Sequence, residues 1–510
     1  MPRSRWASWQ TAWTLVLGLA VPVAAPAASI DSAKVDALVK GALKAWEVPG
    51  AAVAIVRDDE LVYLKGLGIK ELGGHDAVTP DTVFPISSCT KAFTTTAMAM
   101  LVDEGKMDWD DPVRKHVDYF HLKDPLADAN VTLRDLVTHR TGLSSHDLLW
   151  YRSPWDQKDI IRRVGLVEPS CSFRSCFQYQ SIMFTTAGYA VGHASRSTWA
   201  AFVQKRIFDP LGMTGVTLTT AAAEKDPDRA SGHRKDPQGK VEVVPWYRNE
   251  VPDAAASVNA SARDLSKWVR FQLAGGVYKG KRLVTAESLA ETHSPQIVLR
   301  LEGAAKAMNP DTLQMSYGMA WVIQDYRGHL LVSHAGAIDG FRAHITLVPR
   351  ARLGIVLLNN LEQTRMNLAL SNNIVDLALG LPKKDWNAYV MAQVEKEEAT
   401  IRARVQERQD KRHHGTKPSR ELAAYTGAYE NPAYGTAVVS LADGVLVWKW
   451  NSFIGPLRHY HYDTFTMESQ PLRESQVMFA LGRDGNVATM KVMDAMNVEF
   501  KKVQPKRKKR

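Results

Sequence analysis

Cysteine is scarce in this chain: Cys89, Cys171 and Cys176 are the only three in 510 residues. Cys171 and Cys176 are close enough to close a small disulfide loop, or they remain two thiols. Cys89 is unpaired in either case. Long apolar runs are equally scarce. The one near the N-terminus, Trp13 to Val23, is interrupted by Pro22 and is too short for a good membrane span. Arg3 and Arg5 precede it and Ala25-Pro26-Ala27 follows it. That order predicts a cleaved signal peptide over residues 1–28 and a periplasmic or secreted protein. No cysteine follows the apolar run, which argues against a lipoprotein anchor. The chain also lacks a glycine-rich phosphate loop, a nucleic-acid motif and a convincing internal repeat, and it offers no cofactor signature.

Acidic charge is in deficit, with a formal net charge of +10 and a pI near 9.3. Most of that excess sits at the ends. Lys506, Arg507, Lys508, Lys509 and Arg510 form a basic tail, and Arg3 and Arg5 lie in the leader. The body is close to balanced, so the excess does not point to nucleic acid. The tail reads as a solvated terminus, with weak contact to an anionic membrane or cell-wall surface as the sharper alternative. The expected partner is a small-molecule or peptide substrate; oligomer formation is left open.

The remaining pattern is that of a multidomain globular protein. Val35 to Trp46 has helical spacing. Ala51 to Val56 and Leu61 to Leu67 flank Arg57-Asp58-Asp59-Glu60 and predict a hairpin. A helix is expected from about Ser88 to Glu104, stopped by Gly105. Residues 131–289 are mostly helical in pattern. Leu330 to Val332, Ala343 to Val348 and Gly354 to Leu358 read as strands, and Asn372 to Leu379 as a helical stretch. Early and late strands can share one antiparallel sheet around a helical insertion, an α+β arrangement. Gln393 to Lys411 is a charged, solvated helix, broken by His413-His414-Gly415 and Pro418. From Tyr425 onward, short alternating runs separated by Asp443-Gly444 and Asp484-Gly485 predict a small all-β barrel or sandwich. The expected divisions are 29–384, a linker over 385–420, a β domain over 421–504 and the tail 505–510. Trp448 and Trp450 alternate on one strand face and read as core.

The chemistry begins at Ser88-Cys89-Thr90-Lys91. On a helix, residues three apart share a face, so the Lys91 amine can reach the Ser88 hydroxyl. A serine needs a base to become a nucleophile, and an amine of lowered pKa can serve. A helix start also favours developing negative charge. The bare spacing is common. The surroundings are more specific.

Phe84-Pro85-Ile86-Ser87-Ser88-Cys89-Thr90-Lys91-Ala92-Phe93-Thr94 closely resembles the nucleophile segment of class C β-lactamases, D-alanyl-D-alanine carboxypeptidases and related esterases. Leu136-Val137-Thr138-His139-Arg140-Thr141-Gly142-Leu143 resembles their following loop. Phe177-Gln178-Tyr179-Gln180-Ser181 stands at their Tyr-x-Asn motif. Ile207-Phe208-Asp209-Pro210-Leu211-Gly212-Met213 matches a further signature, and His334-Ala335-Gly336 stands at Lys-Thr-Gly or His-x-Gly. All come in the family's order over residues 31–382. The resemblance implies a β-lactamase/transpeptidase-like fold and a lipocalin-like C-terminal barrel. It implies Ser88 as nucleophile, with Lys91 and Tyr179 sharing proton transfer. The N–H groups of Ser88 and Ala337 would form an oxyanion hole. Ser181, His334 and Gly336 would line the substrate, His334 facing its carboxylate or the Tyr179 hydroxyl.

Ser181 departs from the family's Asn. A hydroxyl is shorter and has fewer donors, which weighs against efficient β-lactam turnover. The expected activity is acyl-enzyme hydrolysis of peptide-like amides or esters. The alternative is a slowly deacylating penicillin-binding sensor or scaffold. His459-Tyr460-His461-Tyr462-Asp463 superficially resembles a zinc motif, but it sits in an alternating β segment and reads as structural.

Overall fold

A computed structural model describes residues 30–504, apart from 249, 469–471 and 495. The expected signal peptide and basic tail lie outside the described residues. The first hairpin, Gly50–Arg57 with Glu60–Gly68, forms as its turn residues predict. Leu353–Asn359 pairs beside it, so the early and late parts of the chain meet in one sheet. Continuing outward come Phe341–Val348, His329–Ile338, Val322–Tyr326, Met315–Tyr317 and Ile297–Leu299. All eight strands are antiparallel to their neighbours. The last three short strands were not apparent in the sequence.

Alternation assigns the two faces. Val53, Ile55, Ile355 and Leu357 pack under the helices Ser32–Trp46 and Met366–Leu379. Ala52, Ala54, Val356 and Leu358 face the larger core, which contains the helical insertion. In that insertion, helix Lys91–Asp103 is buried on nearly every side, from Lys91 to Leu101. A helix so enclosed belongs to the interior of a domain. It packs against Ser181–Ser195, which brings Lys91 and the Tyr179 segment together.

Trp386–Asp410 is one long helix, beginning earlier than the charged stretch suggests. Only Trp386 and Val390 are buried in it. Eight strands from Gly427–Asn431 to Val498–Lys502 then close an antiparallel barrel. Closure comes from pairing of its first and last strands, at Tyr429↔Lys502 and Glu430↔Lys501. It leaves no long open edge. Trp448 and Trp450 fill the barrel interior.

The His459–Asp463 stretch has structural bonds. His459 Nε2 lies 2.9 Å from the Tyr462 carbonyl. The Asp463 carboxylate accepts from the Ser419 N–H at 2.8 Å and from the Tyr425 hydroxyl, fastening the linker to the barrel. Cys171 and Cys176 form a disulfide, and Cys89 is a buried free thiol. Among the described residues no helix is long and apolar enough to cross a membrane.

Candidate active site

Ser87–Thr90 is a turn of 3-10 helix that runs directly into Lys91–Asp103. The expected helix start is therefore tighter than an α-turn. Ser87 has a φ of 45°, in the region that non-glycine residues avoid. The surroundings hold it there. Ile86 N–H donates to the Val258 carbonyl at 3.0 Å. The Ser87 hydroxyl donates to the Ala337 carbonyl at 2.8 Å, and the Cys89 thiol to the His334 carbonyl at 3.4 Å. The nucleophile turn is thus stapled along the His329–Ile338 strand.

Gly336 permits this approach. A Cβ built there would stand 2.0 Å from the Ile86 carbonyl oxygen. Its role is close packing; it places Ala337, two residues before Asp339, at the cleft.

The Lys91 ammonium nitrogen lies 3.1 Å from Ser88 Oγ and 3.0 Å from the Ala255 carbonyl. The side chain is fully buried. Burial pulls its pKa down to about 7, against an opposing pull from the Asp147 carboxylate. Burial pushes the Tyr179 phenol well up, partly offset by its hydrogen bond with Ser88. The Tyr179 ring also lies beneath Lys91 Nζ, 4.9 Å from its centroid. Hydroxyl, amine and phenol therefore converge, from sequence segments about ninety residues apart.

Tyr179 is positioned by its neighbours. Gln180 N–H donates to His139 Nδ1 at 3.1 Å, and Gln180 Nε2 to the Ser144 carbonyl at 2.7 Å. Gln180 Oε1 caps the following helix by accepting from Ile182 N–H at 3.0 Å. The His139 ring packs against that of Tyr179, centroids 4.3 Å apart and planes tilted by 41°. The loop bearing His139 is held by the buried Asp135 carboxylate, which pairs with Arg140 and, at 2.7 Å, with Arg174.

Ser88, Tyr179, Ser181 and Ala337 line a cleft of about 370 Å³. Ser181 opens helix Ser181–Ser195. In the family pattern the Asn at its position helps hold the lysine; here the Ala255 carbonyl holds Lys91.

His334 differs from the expectation. It is buried, and its Nε2 shares a hydrogen bond with the Tyr317 hydroxyl at 3.0 Å instead of meeting the Tyr179 hydroxyl. Its Nδ1 lies 2.7 Å from the Ala335 carbonyl. Burial, reinforced by the Lys91 charge, drops its pKa to about 3. A neutral, bonded imidazole supplies no cation for a substrate carboxylate. The physical reason is that both ring nitrogens are engaged, by Tyr317 and the Ala335 carbonyl, although the ring centroid lies 6.3 Å from that of Tyr179.

Four charged cleft residues went unassigned in the sequence: Asp147, Asp339, Arg342 and Glu362. Asp147 accepts from Trp150 Nε1 at 2.8 Å, and burial raises its pKa. Asp339 accepts from the Tyr151 hydroxyl at 2.8 Å and from Arg152 at 2.8 Å. Asp339 lies in the turn between His329–Ile338 and Phe341–Val348, and nothing local marks its carboxylate as a cleft residue. The arrangement can transfer a proton from Ser88 to Lys91 and present the hydroxyl to a carbonyl.

The model of the Beta-lactamase family matches residues 35–379. A domain of unknown function (DUF3471) matches residues 411–507. Unguisins hydrolase ungD of Aspergillus violaceofuscus is 29% identical over 435 residues, 79% of this chain and 76% of that one. Protein flp of Staphylococcus aureus is 25% identical over 335 residues, 64% of this chain and 63% of that one. The octameric penicillin-binding protein homologue from Pyrococcus abyssi superposes with a TM-score of 0.60. It covers 92% of this chain and 100% of its own at 21% identity, a likeness of fold.

Proposed function

The chain belongs to the β-lactamase family, a superfamily of serine hydrolases, and we propose that it hydrolyses peptide-like amides or esters through an acyl-enzyme on Ser88. The observation that carries this reading is the Lys91 amine, buried to a pKa of about 7 and 3.1 Å from Ser88 Oγ. Near neutral pH a large share of it is free base.

The free amine takes the Ser88 proton as Oγ attacks the carbonyl carbon. The N–H groups of Ser88 and Ala337 receive the developing oxyanion. The proton then passes by Lys91 and Tyr179 to the departing amine or alcohol. A water molecule, deprotonated by the same pair, attacks the acyl carbonyl and releases the acid. Tyr179 remains a phenol in the resting site because burial disfavours its anion. A neutral His334 weighs against carboxylate recognition at that strand. It favours a D-aminopeptidase-like or esterase-like substrate over a carboxypeptidase one, and Ser181 in place of Asn places β-lactam turnover lower still. The disulfide Cys171–Cys176 supports export to an oxidising compartment.

Intact-mass spectrometry after fluorophosphonate or penicillin treatment tests the assignment. Wild type should gain one adduct on Ser88 and Ser88→Ala none; an adduct on the alanine variant would overturn it. Ser181 favours a second reading, a slowly deacylating sensor. A fluorescent penicillin retained for hours would support that, and prompt release would support the hydrolase.

A further inference from the structure

The cleft above Ser88 continues beyond the catalytic groups. Tyr151, Asp339 and Glu362 line both it and a second cavity of about 1060 Å³. Several parts of the chain build the second cavity, among them the hairpin of Gly232–Lys235 and Val241–Val244. The first helix contributes Trp46, the long helix Trp386–Asp410 contributes Met391, Val394, Glu395 and Glu398, and the barrel contributes Phe453 and Ile454. The four from the long helix follow its three- and four-residue spacing and so form one face. The wall is consequently apolar in part. Ile454, 59% exposed, presents its aliphatic side chain at this wall.

Its charges are unequal in effect. Each of its four cations has an anionic partner: Arg152 pairs with Asp339 at 2.8 Å, Arg234 with Glu242 at 2.8 Å, Lys235 with Glu47, and Arg473 with Glu474 at 3.8 Å. Glu362 and Glu395 form no ion pair among the described residues; Glu362 accepts only from the Gly340 N–H, at 3.3 Å. Carboxylates outnumber cations in the cavity wall, with Arg342 and Arg234 acting on Glu362 from beyond ion-pair distance.

We propose that this cavity is the distal subsite of the Ser88 site. It takes the part of a peptide-like substrate remote from the scissile bond, a chain with apolar side chains and a positive charge directed to Glu362 and Glu395. The two volumes together exceed what a single acyl group occupies and reach that of a ligand several residues long. Binding energy gathered there would be used at the reacting carbonyl. The inference rests on the hydrolase reading and extends it from a reaction to a substrate class.

The test uses the full chain and matched ester and amide substrates. A single acylated residue is compared with the same residue lengthened by Leu-Leu-Lys or Leu-Leu-Glu, on either side of the scissile bond and in both L and D series. Lengthening with the lysine extension should raise kcat/KM about 10-fold or more on one side, and the glutamate extension should raise it less. Ile454→Trp should abolish that gain while the short substrate is cleaved as before. Glu395→Gln should narrow the preference for lysine. An enzyme that labels at Ser88 and cleaves the short substrate, yet is indifferent to lengthening, would overturn the subsite alone. Absence of labelling at Ser88 would overturn the hydrolase reading and the subsite with it.

Discussion

The Tyr434 hydroxyl lies 2.7 Å from Nδ1 of His146, joining the tip of the barrel to the loop that carries Asp147 into the active-site cleft. A second contact, from the Ser452 hydroxyl to the Arg152 carbonyl at 2.9 Å, reaches the opposite wall, where Arg152 pairs with Asp339. Trp155 completes the junction between Trp450 and the Arg163 guanidinium, which donates to the Ala433 carbonyl. The barrel thus supports both sides of the cleft. Tyr434→Phe should lower stability by about 1 kcal/mol, the scale of one lost hydrogen bond. It should also slow Ser88 labelling without changing the fold seen by circular dichroism.

Asp147 stabilises the charged form of Lys91 and so opposes the effect of burial. Removing that charge should lower the amine's pKa further. Asp147→Asn is therefore expected to move the acidic limb of the Ser88 labelling rate to lower pH than in wild type. The pH profile of fluorophosphonate inactivation measures this. An upward movement would contradict the electrostatic argument.

Labelling of wild type should rise with pH through about 7, because the free amine of Lys91 is the required species. Two pH units below that midpoint, the rate should be about 100-fold below its plateau. Lys91→Gln should lower the plateau by roughly 10²- to 10⁴-fold and erase the limb. Stopped-flow or quenched labelling across pH 5–9 gives both quantities.

Gly336→Ala places a methyl group where the Ile86 carbonyl stands, 2.0 Å from it. The strand or the nucleophile turn has to move. A loss of about 1–3 kcal/mol is expected in chemical unfolding. Labelling should slow as well, since Ile86 and Ser88 belong to the same turn.

Asp135 is buried with two guanidinium partners. Asp135→Asn leaves Arg140 and Arg174 without their anion, and should cost roughly 3 kcal/mol. Thermal unfolding measures the loss. The same variant should weaken labelling, because this carboxylate holds the loop from which His139 supports Tyr179.

Much of the architecture was legible because it depends on local periodicity. The apolar runs Ala51 to Val56 and Leu61 to Leu67 marked a hairpin, and the alternating runs after Tyr425 marked the strands of a barrel or sandwich before any pairing was known. The strands Ile297–Leu299 and Met315–Tyr317 were not legible, being too short to show a period. Ser88 and Lys91 were legible because one helical turn relates them, and Tyr179 through its place in an ordered set of motifs.

By itself the sequence determined which residues could react and which faces they would occupy, since those follow from spacing along one backbone. Only the tertiary structure decided what each group met there. The partner of His334 is Tyr317, the charge beside Lys91 is Asp147, and the wall opposite Glu395 is a barrel strand. Contacts across such separations depend on how packed elements face one another, and no local pattern encodes that choice.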